Sequence, residues 1–145
     1  MTDLEIAKNE LKTKGLTLII VKRGKIIFKT KDHKIAGFLS AIDKFGKSLE
    51  YSSIADRVVG KAIALLCIYV KIKAIYAEVI STKAQKVLEK SHINHEWNSI
   101  VSDILDLEKK RVCPFELKAM SMSDPETTYF ELKNMLESLK DCKQT

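Results

Sequence analysis

Apolar and polar positions divide the chain into stretches with a period near 3.6 and stretches with a period near 2. Leu4, Ala7 and Leu11 share one stripe, which predicts a helix from a cap at Thr2 or Asp3 to about Lys14, stopped by Gly15. Leu16 to Val21 is an apolar run rich in β-branched residues. The turn K-R-G-K and a second run, Ile26 to Thr30, follow it, so a β-hairpin turning at Gly24 is expected. Asp32 is placed to cap a second helix that buries Ile35, Phe38, Leu39, Ile42 and Phe45 and ends at Gly46. K-S-L-E-Y-S-S then reads as a loop.

The stretch Ser53 to Val70, S-I-A-D-R-V-V-G-K-A-I-A-L-L-C-I-Y-V, is expected to form the central helix. No charge occurs from Ala62 to Val70, so this half should be buried on nearly all sides. It is too short for a membrane span, which needs about 20 apolar residues. Lys71 to Ile80 reads as a strand. Ser81 or Thr82 should cap a helix to about Glu89, packed by Ala84, Val87 and Leu88. Ile93 to Trp97 reads as another strand, residues 98–107 as a short helix, and E-K-K-R as a solvated loop. Cys113 to Met120 reads as a helix with Pro114 at its first position and Glu116 three residues after Cys113. A last helix over about 125–140, capped by Ser123 or Asp124, presents Tyr129, Leu132, Met135, Leu136 and Leu139. This order predicts a single domain over 1–145, of the three-layer α/β/α class with a mixed sheet and the terminal helix packed on it. In such folds ligands sit at the carboxyl ends of strands, where helix N-termini gather. Three N-termini are candidates, near Asp56, Thr82 and Cys113.

Composition narrows the function classes. The 145 residues are 46% hydrophobic and 30% charged, a globular balance sufficient for one core. The net charge of +6 comes from 25 basic residues spread along the chain without an aromatic-interleaved basic block. It reads as solubility and a mild attraction for anions, and nucleic acid ranks third among the partners considered. Three scattered cysteines (Cys67, Cys113, Cys142) fit free thiols in a reducing compartment. The first residues, M-T-D-L-E-I-A-K, lack the apolar core of a signal peptide, so a cytoplasmic protein without a membrane partner is expected. No Walker A loop, G-x-G-x-x-G, H-E-x-x-H or G-x-S-x-G occurs, which removes the usual support for nucleotide-hydrolysing, dehydrogenase, zinc-protease and esterase readings.

Candidate chemistry gathers at two helix starts. Asp56 reads equally as a general base in a cleft and as the Glu-like member of a cap begun by Ser53. Cys113 is either a thiol activated by a helix N-terminus or a small buried residue at a turn, and the second reading leads. Glu116 is a proton carrier facing Asp56 or the third residue of its own helix cap. Arg57 and Lys61, four apart, would share a helix face, where they either grip a phosphate or carboxylate or serve as solvated charges and partners for Asp56 and Glu116. Gly60 costs about 1 kcal/mol in a helix interior, which points to close packing or to room for a ligand. His92 and His95 read as a surface pair, Cys67 as core, and Cys142 as an exposed tail thiol.

The segment A-D-R-V-V-G-K-A-I-A-L-L (Ala55 to Leu66), the strand ending V-I-S (Val79 to Ser81) and C-P-F-E (Cys113 to Glu116) together resemble a small prokaryotic family of unknown function whose fold is like that of cytidine deaminases. The resemblance implies that the A-D-R and C-P-F-E helix starts stand where zinc deaminases carry H-x-E and P-C-x-x-C. Asp56 then lies near the place of the zinc-binding His, Val58 replaces the general acid/base, and Glu116 replaces the second Cys. Such a set does not make the three-ligand zinc site of those enzymes, so neither a metal nor another cofactor is expected.

Two functions follow as expectations. The first is a small polar or nucleotide-like ligand bound between the two helix starts of a deaminase-like scaffold, either as a binding protein or as a non-zinc enzyme. Asp56, Cys113 and Glu116 would supply its chemistry, and Arg57, Gly60, Lys61 and Ser81 its binding. The second is a non-catalytic regulatory or protein-interaction module that makes contacts through the last helix, with a homo-oligomer among the assemblies this allows.

Overall fold

The computed structural model describes residues 1–32, 35–105 and 111–144, and of residues 140–144 the backbone only. Five strands form one mixed sheet in the order β2-β1-β3-β4-β5. They are β1 (Leu18–Lys22), β2 (Lys25–Thr30), β3 (Ser53–Val59), β4 (Ala74–Ser81) and β5 (Asn94–Val101). Strand β1 is antiparallel to both β2 and β3, whereas β3, β4 and β5 run parallel. Helix α1 (Asp3–Lys14) covers one face, with Leu4, Ala7 and Leu11 against Ile19, Val21, Ala55 and Tyr76. The other face carries α2 (Ala36–Phe45), α3 (Lys61–Tyr69), α4 (Thr82–Lys90), α5 (Pro114–Met120) and α6 (Pro125–Gln144). The chain is therefore a three-layer α/β/α domain with unequal layers.

Helix α3 lies at the centre of the larger layer. Its Ala62, Ile63, Ala64, Leu65, Leu66 and Cys67 are all buried. They meet sheet residues Ile54, Ile75 and Ile80 on one side and Leu88, Phe115 and Leu132 on the others. A run without charge is what a helix enclosed in this way requires, since each unpaired buried charge would cost several kcal/mol.

The helix expected over Ser53–Val70 is two elements. Its first half, Ser53–Val59, pairs on both edges: antiparallel with β1 (Leu18 opposite Asp56) and parallel with β4 (Ile54 opposite Ile75). Ile54 faces the main core and Ala55 the α1 side, the alternation of a strand. The charged pair Asp56–Arg57 belongs to the strand end and does not open a helix. Gly60 is extended (φ −103°, ψ −176°) and acts as N-cap of α3.

Other boundaries shift for local reasons. Thr2 caps α1 through a reciprocal pair with Glu5. Asp3 instead accepts the Arg23 and Gly24 N–H groups at 2.9 and 2.8 Å, fixing the hairpin turn, where both residues have positive φ. Asp32 does not cap α2. Its backbone is tied to the hairpin, with its N–H donating to Thr30 Oγ1 and its carbonyl accepting from Thr17 Oγ1, and α2 starts at Ala36 without a side-chain cap. Residues 98–101, expected in a helix, extend β5, because the β4 register continues to Ser81 opposite Val101. Residues 106–110, which include most of the expected 98–107 helix end and E-K-K-R loop, lie outside the described residues, as does the Cys142 side chain. In α6, Asp124 caps by accepting from the Thr127 N–H, and Tyr129 and Leu132 are buried, but Leu139 is 42% exposed.

Candidate functional site

The turn from β3 into α3 brings a carboxylate from far along the chain onto a helix start. Both oxygens of Glu116 accept backbone N–H bonds of 2.9 Å, Oε2 from Lys61 and Oε1 from Ala62. Two of the N–H groups that every helix start leaves unpaired are thereby satisfied, and the carboxylate sits at the positive end of the helix dipole. A Cβ on Gly60 would overlap the Glu116 carboxylate, so the glycine is required by close approach and not by backbone angle. Burial still raises the Glu116 pKa, outweighing the two N–H donors that lower it. Glu116, expected as the third residue in the cap of its own helix α5, caps α3.

The two expected cations are also engaged. Arg57 points to the α1 side, where Nε donates to the Leu16 carbonyl at 2.7 Å and Nη2 to the Leu11 carbonyl at 3.3 Å, closing the C-terminal end of α1. Lys61 Nζ donates to the Met120 carbonyl at 3.1 Å, at the end of α5. They do not share a helix face, because Arg57 is in β3. Ser81 is turned away as well: its hydroxyl accepts from the Ala84 N–H at 3.1 Å and caps α4.

What remains open is a cavity of about 570 Å³ beside the carboxyl end of β3. Asp56, Arg57, Gly60, Cys113 and Glu116 reach it together, although Asp56 and Cys113 lie 57 positions apart in sequence (113 − 56). Ile35, Ile63, Ile104 and Phe115 make much of the remaining wall, with Thr17 and Lys31 at the α1 side. These apolar residues carry no motif, and only the folded layers identify them as lining.

The Asp56 carboxyl has little support in this wall. Its Oδ1 accepts from the Val58 N–H at 3.3 Å, a weak bond within its own turn. Burial raises its pKa from 3.8 to about 7, against smaller lowering by the Val58 and Arg57 N–H groups. Near neutral pH the carboxyl thus exists in both forms, able to donate or to accept a proton. Cys113 caps α5 without a side-chain hydrogen bond and is largely buried. Cys67 lies deeper in α3, and burial first, then the Asp56 charge, push its thiol well above its ordinary range. Among the described residues no three His, Cys, Asp or Glu side chains gather as a metal site would require. His95 stacks on Trp97, with Nδ1 2.7 Å from the Ile93 carbonyl, while His92 is exposed beyond α4. No described helix is long and apolar enough to cross a membrane.

Comparison with known proteins adds a family. A search of curated proteins finds no match. Among solved structures, the crystal structure of a DUF1893 family protein (TM1506) from Thermotoga maritima is similar, with a TM-score of 0.84 and 26% identity over 93% of this chain and 91% of that one. The family model of the TM1506 domain of unknown function, DUF1893, matches residues 6–136, a span from the first turns of α1 into α6 that includes the whole sheet and every residue of the cavity. The chain therefore belongs to the DUF1893 family.

Proposed function

We propose that the cavity between β3 and α5 binds a small polar ligand bearing a nitrogen heterocycle, with Asp56 as its hydrogen-bonding and proton-exchanging group. The observation that carries this reading is the cavity itself: about 570 Å³, walled mainly by apolar side chains, with one poorly supported carboxyl at its edge. That is the usual make-up of a small-molecule site, in which apolar walls give affinity and a few polar groups give orientation. A carboxyl that is protonated part of the time offers a donor and an acceptor side by side. This pattern complements the amino–imino edge of a base better than it complements a bare phosphate. Arg57, Lys61 and Glu116 act as the frame that holds the site open, and Cys113 contributes a thiol to its wall.

The test is a thermal-shift screen of nucleosides, nucleotides and free bases on the wild type, on Asp56→Ala and on Cys113→Ala. A ligand at a hundredfold excess over its dissociation constant stabilises the fold by about 2.7 kcal/mol. The expected result is a shift in the wild type that Asp56→Ala, which removes both donor and acceptor, abolishes. If no compound shifts the wild type, or if the shift survives both substitutions, the cavity is not the ligand site.

A non-catalytic interaction module is the second reading. It is favoured by the outer edge of β5, where Trp97, Ile100 and Val101 are exposed on a strand without a lysine or proline to block pairing. A concentration-dependent increase in mass by light scattering, lost in Ile100→Lys, would support it.

A further inference from the structure

The opposite end of the sheet, where β1 ends and β3 and β4 begin, carries a basic concavity of about 430 Å³ lined by Lys22, Arg23, Tyr51 and Lys73 with Asp3. Backbone pairing fixes this grouping. Val21 lies opposite Ser53, Ser53 lies opposite Ala74, the Tyr51 N–H donates to the Lys71 carbonyl at 2.8 Å, and the Lys73 N–H donates to the Ser52 carbonyl at 2.9 Å. The Lys71 backbone therefore lies beside the concavity, next to Tyr51. The cations read along the sequence as scattered are gathered here by topology.

We infer that this surface binds a single strand of nucleic acid, with Tyr51 as a stacking platform and Lys22, Arg23, Lys71 and Lys73 along the backbone phosphates. Three observations carry the inference. First, cations outnumber carboxylates here. Asp3 accepts from the Arg23 and Gly24 N–H groups, Lys22 Nζ donates to the Ser48 carbonyl at 2.9 Å, and none of the ion pairs among the described residues involves these four cations. The neighbouring Glu50 is the other carboxylate beside Tyr51. Second, Tyr51 is 67% exposed beside these cations, which leaves its ring free to stack on a base. Third, Arg23, Tyr51 and Lys71 hold φ of 52°, 63° and 57°, positions where glycine or asparagine would be unstrained. The chain places two cations and an aromatic ring there despite that cost. Cations spread around one exposed ring match a polyanion with stackable bases, the pattern of sequence-tolerant single-strand binding. Four cations exceed what one phosphate can use, which favours a strand over a free nucleotide.

The experiment is fluorescence anisotropy with labelled single-stranded RNA and DNA 12-mers at 50 and 200 mM KCl, with a labelled mononucleotide in parallel. The expected result is binding of a 12-mer that weakens steeply with salt. Tyr51→Gly relieves the strained backbone and should leave the melting temperature unchanged or higher, yet weaken binding roughly tenfold. Lys73→Ala should weaken binding and flatten the salt dependence, whereas Lys86→Ala, which removes the same charge from the outer side of α4, should change neither. Absence of binding at 50 mM KCl overturns the inference. So does equal affinity for the mononucleotide, or an equal effect of Lys73→Ala and Lys86→Ala with none from Tyr51→Gly. Asp56→Ala should bind the 12-mer as the wild type does, so this result and that of the cavity screen are independent.

Discussion

Gly60 and Glu116 are a fitted pair, and their energetics are separable. Gly60→Ala should push the carboxylate off the α3 start and destabilise the fold by about 1–3 kcal/mol, the cost of unpaired buried N–H groups. Glu116→Ala should cost a similar amount. Because the overlap disappears with the carboxylate, Gly60→Ala in the Glu116→Ala background should cost little more, and chemical denaturation of the four proteins measures that coupling. Additive losses would mean that the glycine serves something else. Asp56 gives a pH signature. Its carboxyl has a pKa near 7 in the folded protein against 3.8 as the ordinary value, so between those two values the folded state holds a proton that the unfolded state has released. The stability associated with that proton is present at low pH and is lost as pH rises toward and through about 7. Asp56→Asn should therefore be more stable than the wild type at pH 8 by up to about 4 kcal/mol, less to the extent that solvent reaches the carboxyl, with the difference shrinking toward pH 4. Melting temperatures at pH 4.5, 6 and 8 test the sign. The sequence singled out both residues, but assigned Glu116 to its own helix. A contact between positions 60 and 116 leaves no periodicity or spacing behind, so its partner could be identified only in the folded chain.

Elements whose ends are set by neighbouring residues were readable in advance. Gly15 after α1, Gly24 in the hairpin turn, Ser81 before α4, Pro114 opening α5 and Asp124 before α6 all mark boundaries through short-range chemistry, and the structure has each of them. The Ser53–Val70 stretch was not readable in the same way. The strand Ser53–Val59 and the helix Lys61–Tyr69 follow each other with only Gly60 between them, so no polar loop marks the change of element. Asp56 and Arg57, charges inside a strand, made the helical reading look natural. β5 was cut short because its last residues fit either period. α6 was legible as a stripe, and its docking is testable. Leu132 is fully buried, and the Tyr129 ring stacks on Tyr69 of α3 at 4.9 Å between centroids. Leu132→Ala should cost about 2–5 kcal/mol in urea unfolding. A loss below about 1 kcal/mol would show that α6 is only loosely attached.

At the scale of the molecule, the parallel strands direct the apolar cavity to one end of the sheet and the basic, Tyr51-bearing concavity to the other. Neither end assembles a cluster of metal-ligating side chains among the described residues. Metal analysis of protein purified without chelators should accordingly find well under one equivalent of zinc, and a full equivalent lost on Cys113→Ala would contradict the reading of the cavity. The Glu116 cap also has a consequence for the order in which the protein is made. All five strands are complete by Val101, so a ribosome has delivered the whole sheet, with α3 between β3 and β4, before it reaches the residue that finishes the start of α3. Until α5 and α6 emerge, the nascent domain presents an uncapped helix start and the bare flank of α3 that Phe115 and Leu132 later cover. Burial of α3 is therefore completed from the C-terminal side of the chain, by Phe115, Glu116 and Leu132.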